Sequence, residues 1–331
     1  MNHIGWYGGL LLWLCVGQSE EAIQPSHALQ YEVQNQDAVV EKPWYHPPSD
    51  DAPLPAWDRQ PPWIVPYSTQ WQVTWNSGSE NTLGMTDLDL REVVVFPRQP
   101  GWMLTPGFAA HWLDGPSQPD LPPVLYDQWV EIRWLKQINA LWMLDLVVTP
   151  GWYTDWDNTS SAGFRLQGRA LGLWQASPAW QLAVGFVYLD RDDISALPAA
   201  GAIWSPHADW KLEFLFPRPR LMYRWHADEQ QETWLWLGGE LGGGTWAIVR
   251  PPLSAPGLGP LPPGVSTTEP FRDVLTYSVL RLLVGWERKH KRGFSPRLEA
   301  GFNFNRSLEF RSGIGNTDLD VTAVLRLGGS F

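Results

Sequence analysis

Hydrophobic and polar residues alternate in short runs from about Trp71 to the last residue, and Gly, Pro, Asn and Asp separate the runs. A period of two is typical of a β-strand whose two faces meet different surroundings. In 209–216 Trp210, Leu212, Phe214 and Phe216 share one face, while Asp209, Lys211 and Glu213 share the other. The same alternation is found in 86–96, 164–174, 297–305 and 321–331, with Glu92 as an exception on an apolar face. The pattern predicts an all-β chain.

These strands predict a particular kind of membrane protein. After residue 17 the sequence has no run of about 18 consecutive apolar residues, so it predicts no membrane-spanning helix there. Only helices and closed barrels satisfy their backbone hydrogen bonds inside lipid, so strands that cross a bilayer must close into a barrel. Alternation then means lipid outside and water inside. We expect a closed antiparallel up-and-down transmembrane β-barrel of about 12 strands, within a range of 10 to 14.

The 23 Trp residues support this interpretation, because Trp is amphipathic and is enriched at membrane interfaces and on sugar-binding surfaces. A tilted strand climbs roughly 2.5 Å of membrane per residue, so ten residues cross roughly 25 Å. Trp102 and Trp112 are ten residues apart with apolar residues between them on the same face, and so are Trp142 and Trp152. These four residues are the candidate girdles at the two membrane interfaces.

Three stretches rich in Pro or Gly predict how the strands are interrupted. Pro198, Gly201 and Pro206 predict a turn between strands, and 216–219 predicts a sharp hairpin, because proline cannot donate to a strand ladder. The Pro-rich stretch 251–264 predicts an extended external loop. A different feature is the three glycines at 242–244, which permit a bulge, a tight bend or close packing of something inside the wall.

The N-terminal residues predict export. Residues 1–17 contain a short apolar run typical of a signal peptide, although His3 stands where a basic residue is usual. Residues 18–66 are acidic, Pro-rich and without periodicity, so we expect a disordered periplasmic segment, with a plug or cell-wall anchor as the alternative. The single cysteine, Cys15, lies in the predicted signal peptide, which suits a Gram-negative envelope protein. The barrel is expected over 67–331 and the localisation in the bacterial outer membrane.

The last run resembles the signal that outer-membrane barrel-assembly machinery reads. Apolar residues alternate with polar ones from 320 onward and the run ends in the aromatic residue Phe331. We therefore expect Phe331 to be the assembly signal. The partners expected are outer-membrane lipid and this machinery, while a net charge of −11 argues against nucleic acid.

Charged residues of both signs are expected to line the lumen of the barrel. They are Asp87, Asp89, Arg91, Glu131, Arg133, Asp145, Arg165, Arg169, Lys211, Glu213, Arg224 and Arg281. Such groups can line an aqueous pore and filter solutes by charge. The alternative is that they pair with one another and fill a narrow barrel. Asp87 and Asp89 point to the same face of a strand, as calcium binding or acid–base chemistry would require, but two residues of a hydrated wall also do this. The sequence predicts no metal site, no cofactor and no catalytic motif.

A family resemblance points the same way. The stretches LPAAGAIWSPHADWKLEFLFPRPRLMYRW (197–225), GGGTWAIVR (242–250) and FRDVLTYSVLRLLVGWE (271–287) are similar to an uncharacterised family of bacterial outer-membrane β-barrel proteins, known only as a domain of unknown function. The similarity covers most of 70–331. It implies a barrel fold and an outer-membrane location, and it implies no activity.

Three functions fit these observations, and none of them is enzymatic. The first is a passive channel or uptake barrel for an unknown small solute. The second is a non-transporting structural or binding protein that contacts another component of the envelope. The third is a secreted Trp-rich β-sandwich that binds carbohydrate through stacked rings.

Overall fold

The computed structural model describes residues 62–78, 82–116, 119–192, 195–216, 218–253 and 261–331. The predicted signal peptide 1–17 lies outside the described residues, and so does the predicted periplasmic segment 18–66 up to residue 61. No helix among the described residues is long and apolar enough to cross a membrane.

The described residues form fifteen strands and one short 3-10 turn, Ser161–Gly163. The strands are β1 (Val65–Asn76), β2 (Gly84–Val95), β3 (Trp102–Asp114), β4 (Val124–Gln137), β5 (Trp142–Thr154), β6 (Phe164–Ser177), β7 (Trp180–Tyr188), β8 (Ala196–His207), β9 (Trp210–Leu215), β10 (Arg220–Ala227), β11 (Gln231–Arg250), β12 (Phe271–His290), β13 (Ser295–Phe310), β14 (Thr317–Leu319) and β15 (Thr322–Ser330).

Fourteen of these strands close into a barrel. Each strand from β1 to β13 pairs with the next in antiparallel fashion, β13 pairs with β15, and β15 pairs with β1. The short β14 pairs only with β13 and is not one of the strands of the ring. The closed all-β barrel is therefore confirmed. The β-sandwich alternative is wrong, because one continuous ring replaces two stacked sheets.

The expected number of about 12 strands is too low, since the ring has 14. The reason is the length of the connections at one end of the barrel. Here β6 and β7 are separated only by 178–179, and β8 and β9 only by 208–209. Strands β9 and β10 are also short, with 6 and 8 residues. The chain therefore uses fewer residues per strand than a uniform repeat of about 20 assumes.

The two ends of the barrel differ. Val65 at the start of β1 and Ser330 at the end of β15 lie at the same end, which we call the terminal end. Its connections are short. At the opposite end, the far end, most connections are longer, up to 251–270 between β11 and β12.

The turn expected at Pro198, Gly201 and Pro206 is wrong, because all three residues lie within β8. Pro206 falls where the pairing of β8 with β9 shifts register, between Trp204 and His207. Pro198 lies beyond the end of β9 and is paired only with β7. Both prolines therefore occupy positions where a missing N–H costs little. The hairpin expected at 216–219 is the β9–β10 connection.

The alternation in the sequence separates an apolar outer face from a polar inner face. On β13, Leu298 and Phe302 are 45% and 59% exposed on the outside, whereas Glu299 and Asn303 are buried on the inside. Trp rings from neighbouring strands stack on the outer face at the terminal end, as in the pairs Trp102–Trp134, Trp142–Trp174 and Trp180–Trp204. Such a surface is unfavourable in water and suits hydrocarbon bordered by an interface.

Candidate functional site

The site is the inside of the barrel, and its main feature arises where β11 outgrows its neighbour. The β9–β10 connection keeps β10 short. The carbonyl of Pro219, just before β10, accepts a hydrogen bond from the backbone of Gly239 on β11, and this is the last backbone contact between β11 and the β10 side. Beyond Gly239, β11 continues to Arg250 with a wall neighbour on one side only. A strand with one unpaired edge is free to leave the wall.

Strands β11, β12 and β13 bend along one line. Gly243 has a φ of +109°, a conformation that L side chains rarely adopt. Its partner on β12 is Ser278, next to the place where the β12–β13 register shifts between Ser278 and Leu280. On β13 the backbone is irregular at Asn305, which has a φ of +49°. The irregularities coincide, so the three strands turn together.

Beyond the bend these strands form what we call the inner sheet, which consists of 243–250 of β11, 271–278 of β12, 307–310 of β13 and β14. The edge of β11 that has left β10 is what we call the leading edge of the inner sheet. It reaches β5, where Ala247 pairs with Thr154 in parallel fashion. In the ring, five strands separate β5 from β11 on one side and seven on the other. The inner sheet therefore crosses the lumen to nearly the opposite wall.

Polar contacts fix the leading edge of the inner sheet to the β4–β5 side. The Trp246 indole donates to Asp127 at 2.5 Å. The Asp155 carboxylate accepts from the backbone of Val249 at 2.7 Å. The Asn158 amide donates to the carbonyl of Ile248 at 3.0 Å. The last two contacts satisfy backbone groups that would otherwise be orphaned on an unpaired strand edge.

Apolar side chains pack against the inner sheet and against the part of β11 just before the bend. Towards β2, β4 and β5 it contributes to a buried cluster composed of Leu83, Met85, Leu125, Tyr153, Trp246, Ile248, Leu275, Tyr277, Val279, Leu308, Phe310 and Leu319. On the β7–β8 side, Leu241 near the bend packs with Val187, Leu189, Leu197 and Ala199. Both faces of β11 and β12 are therefore buried here, and the polar alternation disappears.

Two ion pairs and a hydrogen bond join the β7–β8 connection to β6, to the residue that follows β13 and to the inner sheet. Asp192 accepts from Arg311 at 2.7 Å and from Arg165 at 3.0 Å, and Arg191 donates to Ser278 at 2.7 Å. Partial burial by itself would raise the pKa of Asp192, but the hydrogen bonds from Arg311 and Arg165 outweigh this and hold the pKa below its usual range. We call Asp192, Arg165 and Arg311 the latch.

A cavity of about 690 Å³, including its open mouth, lies between the bend of the inner sheet and the β1–β4 wall. Charged side chains from two sides line it. Asp87, Asp89, Arg91, His111 and Asp127 come from β2, β3 and β4, and Arg218, Glu240, Arg281 and Arg326 come from the β9–β10 connection, β11, β12 and β15.

Each side of the cavity is internally hydrogen-bonded. His111 contacts Asp87 at 2.8 Å and Asp127 at 3.2 Å, and Asp89 accepts from Arg91 at 2.7 Å. On the other side, the following contacts converge on Glu240: Arg281 at 2.6 Å, Arg326 at 3.0 Å and Arg218 at 3.5 Å. The charges are therefore held in fixed positions around the cavity.

All twelve side chains predicted to line the lumen lie on the inner side of the barrel wall. Only Asp87, Asp89, Arg91 and Arg281 border the cavity. The others are Glu131, Arg133, Asp145, Arg165, Arg169, Lys211, Glu213 and Arg224. Most of these are paired with each other or with neighbours, as Asp145 is with Arg133 at 2.7 Å and Arg169 at 3.2 Å. In this conformation the arrangement favours a filled interior, the alternative to an open pore.

The four candidate girdle residues lie on the outer face, Trp102 and Trp142 at the terminal end and Trp112 and Trp152 at the far end. Their contact with a lipid interface stays a prediction. Phe331 is exposed at the terminal end, where its ring lies 4.9 Å from that of Phe294, and its role in assembly also stays a prediction.

Sequence reasoning missed five of the nine charged side chains that line the cavity. Asp127 and Arg326 obey the same period of two as the predicted residues and could have been found from it. His111 and Glu240 also lie on inward positions, but near apolar neighbours. Trp246 could not be found, because its role depends on the inner sheet. Among the described residues, no group of three His, Cys, Asp or Glu side chains could hold a metal ion.

No family model matches the sequence, and no curated protein matches it. The family resemblance of 197–225, 242–250 and 271–287 therefore stays a prediction. Three solved structures illustrate the similarity in fold. The KdgM porin is 9% identical with a TM-score of 0.35, and the alignment covers 80% of this chain and 98% of that one. The NanC porin is 12% identical with a TM-score of 0.34, covering 80% and 98%.

The third is an outer membrane channel from Pseudomonas putida F1, which is 12% identical with a TM-score of 0.38, covering 87% of this chain and 100% of that one. Similarity at this level does not indicate a shared substrate or activity. The function therefore has to follow from the site itself.

Proposed function

We infer that the protein is an outer-membrane β-barrel channel for small polar solutes, held closed by the inner sheet. The observation that carries this proposal is the cavity. It places charged groups of both signs inside a barrel whose outer face is apolar, which is the arrangement expected of a water-filled passage through lipid. Outer-membrane lipid is the surrounding that suits the exposed Leu, Val, Phe and Trp side chains.

The inner sheet determines how such a channel would behave. Withdrawing it would expose the buried cluster around Trp246 and Tyr277, and each fully buried apolar side chain contributes about 1.5 to 3 kcal/mol. Complete withdrawal therefore costs on the order of 10 kcal/mol or more. Spontaneous opening on that scale is rare, so we expect the native protein to carry little current.

Shortening the inner sheet tests the proposal. Gly243 and Ser278 are cross-strand partners, so an Asn-Gly turn can join them in place of 244–277. Planar-bilayer recordings should show low, infrequent conductance for the native protein and a stable, larger conductance for the shortened variant. Heat-modifiable migration on gels shows that the variant has folded. A folded variant without ion current would contradict the channel.

A second candidate is a barrel that binds an envelope component without transport. The ion pairs that fill the interior favour it, since Lys211–Glu213 at 2.6 Å and Asp145 with its two arginines occupy space that an open pore would need. Retention of an envelope polymer or protein by the full chain, together with no current from the shortened variant, would support this candidate over the channel.

The same proposal includes assembly by the outer-membrane barrel-assembly machinery. The final strand β15 alternates along its length and closes the ring by pairing with β1. Removing Phe331 should slow insertion into outer membranes while leaving the folded barrel stable, because its exposed ring lies outside the buried clusters. Insertion in the presence of the machinery is the measurement, and an unchanged rate would contradict the role.

A further inference from the structure

The two sides of the cavity carry opposite net charge. On the β2–β4 side, Asp87, Asp89 and Asp127 face Arg91, which gives a formal charge of −2, or −1 when His111 is protonated. On the opposite side, Glu240 faces three arginines, which gives a formal charge of +2. These arginines are Arg218, Arg281 and Arg326. The cavity is therefore polarised across its width.

The residues behind the positive side leave this polarity unchanged. Arg326 also contacts Glu299 at 2.7 Å, and Glu299 in turn contacts Arg297 at 3.2 Å. This second pair adds one negative and one positive charge, and neither residue borders the cavity. The excess of positive charge on this side is consequently not cancelled by the layer behind it.

Charges act strongly in such a place. Residues of the barrel wall and of the inner sheet line the cavity, so the effective dielectric constant there is below that of water. A fixed negative side and a fixed positive side then orient a dipolar solute and disfavour a solute with only one sign of charge, because one side always repels it. The side chains of Asp87 and Asp89 are 16% exposed or less and border the cavity, so a solute there can reach them.

We propose that the cavity is a binding site for a small zwitterion, with its ammonium group towards Asp87 and Asp89 and its carboxylate towards Arg218 and Arg281. This proposal rests on the proposed channel function in one respect, which is that the solute reaches the cavity through the barrel. Carboxylates accept from an ammonium group, and guanidinium groups donate to a carboxylate in a bidentate manner. An amino acid carries both groups on one small skeleton.

The test compares three solutes of nearly equal size with the full chain in detergent near neutral pH. L-Alanine carries both charges, L-lactate has a hydroxyl in place of the ammonium group, and L-alaninamide has an amide in place of the carboxylate. Saturation-transfer NMR titrations give the three dissociation constants. We expect alanine to bind about tenfold more tightly than either of the other two, because each lacks one charge-assisted contact.

Variants on each side sharpen the result. Asp89→Asn should weaken alanine binding about tenfold and leave lactate binding equal or tighter. Arg218→Gln should weaken alanine binding and leave alaninamide binding equal or tighter. The matched control is Asp209→Asn, which removes a carboxylate paired with Arg224 at 3.1 Å away from the cavity and should leave all three constants unchanged.

Swelling of liposomes that hold the shortened variant, in which the inner sheet no longer closes the barrel, separates this proposal from the channel when the same three solutes are used. Selective alanine binding without swelling would support the site and contradict transport. Swelling with all three solutes at equal rates and without selective binding would support the channel and overturn the site. Equal binding of the three solutes, or no binding of any, would also overturn it.

Discussion

Strands β1–β6 differ from strands β11 and β12 in how polar and apolar residues are arranged along them. In β1–β6 the strands are 12 to 14 residues long and alternate between an apolar outer face and a polar inner face. In β11 and β12 the strands are 20 residues long, and only the parts near the terminal end alternate. Beyond the bend at Gly243 both faces are buried. Alternation thus reports two different solvents, and it vanishes where the chain has protein on both sides.

The same contrast appears in how charge is treated. On the β4–β6 wall, Arg133, Asp145 and Arg169 form a compact group in which each charge has a partner within the wall. Around the cavity the charges are paired within each side but not balanced between the sides. Charges packed against one another within one wall fill a barrel, whereas opposite net charges on two sides of an open space can act on a solute.

The largest effect is expected at the bend. A Cβ on Gly243 would lie 1.9 Å from the carbonyl oxygen of Tyr277, and its φ is +109°. Backbone strain and steric overlap together should lower the free energy of unfolding by roughly 3 to 5 kcal/mol in Gly243→Ala. The control is Gly264→Ala, where φ is +88° but no atom lies within 4 Å, so only the strain of about 1 kcal/mol applies. Urea unfolding in lipid vesicles measures both, and equal losses would contradict a tight bend.

A second prediction tests the outer face of the same strand. Val284 on β12 is 61% exposed and lies on the part that remains in the wall. Val284→Arg should cost up to about 2 to 4 kcal/mol in a bilayer, because a guanidinium group in the hydrocarbon is strongly disfavoured. The matched change Gln231→Arg, at the terminal-end start of β11, should cost less than about 1 kcal/mol. Equal and small costs would contradict a lipid-facing surface.

A smaller effect is expected from the hydrogen bond that holds the leading edge. Trp246→Phe keeps most of the packing but leaves Asp127 without the indole donor, which should cost about 1 to 3 kcal/mol. The control is Trp236→Phe, another buried Trp, whose indole nitrogen has no hydrogen-bond partner among the described residues. Chemical unfolding of both variants measures the difference, and a similar loss in the two would show that packing alone matters.

The smallest effect concerns the latch. Its Asp192 carboxylate has a lowered pKa, so the stabilisation is present above the pKa of the unfolded state, near 3.9, and is lost as the pH falls through the lower folded value. Asp192→Asn should cost less than about 1 kcal/mol at neutral pH, because Arg311 is half exposed and screened. Brief channel openings should become more frequent in acid for the native protein. The variant should show more openings at neutral pH and a weaker acid response, and an unchanged response would contradict the latch.

The sequence alone determined the parts of this fold that depend on local alternation. The all-β class, the outward positions of Trp102 and Trp142, and the inward positions of Asp145 and Lys211 follow from a period of two, because a strand sends successive side chains to opposite faces. Prolines near 216–219 also predicted the hairpin that keeps β10 short. The three glycines at 242–244 left a bulge, a bend and close packing open.

Only the tertiary structure decided between those options and built the cavity. The inner sheet depends on the length difference between β10 and β11 and on contacts such as Ala247 with Thr154 and Trp246 with Asp127, which join distant parts of the chain. A local pattern cannot encode such distances, and burial of both faces removes the pattern itself. The polarity of the cavity likewise arises because the closed ring places Asp87 and Asp89 opposite Arg218 and Arg281.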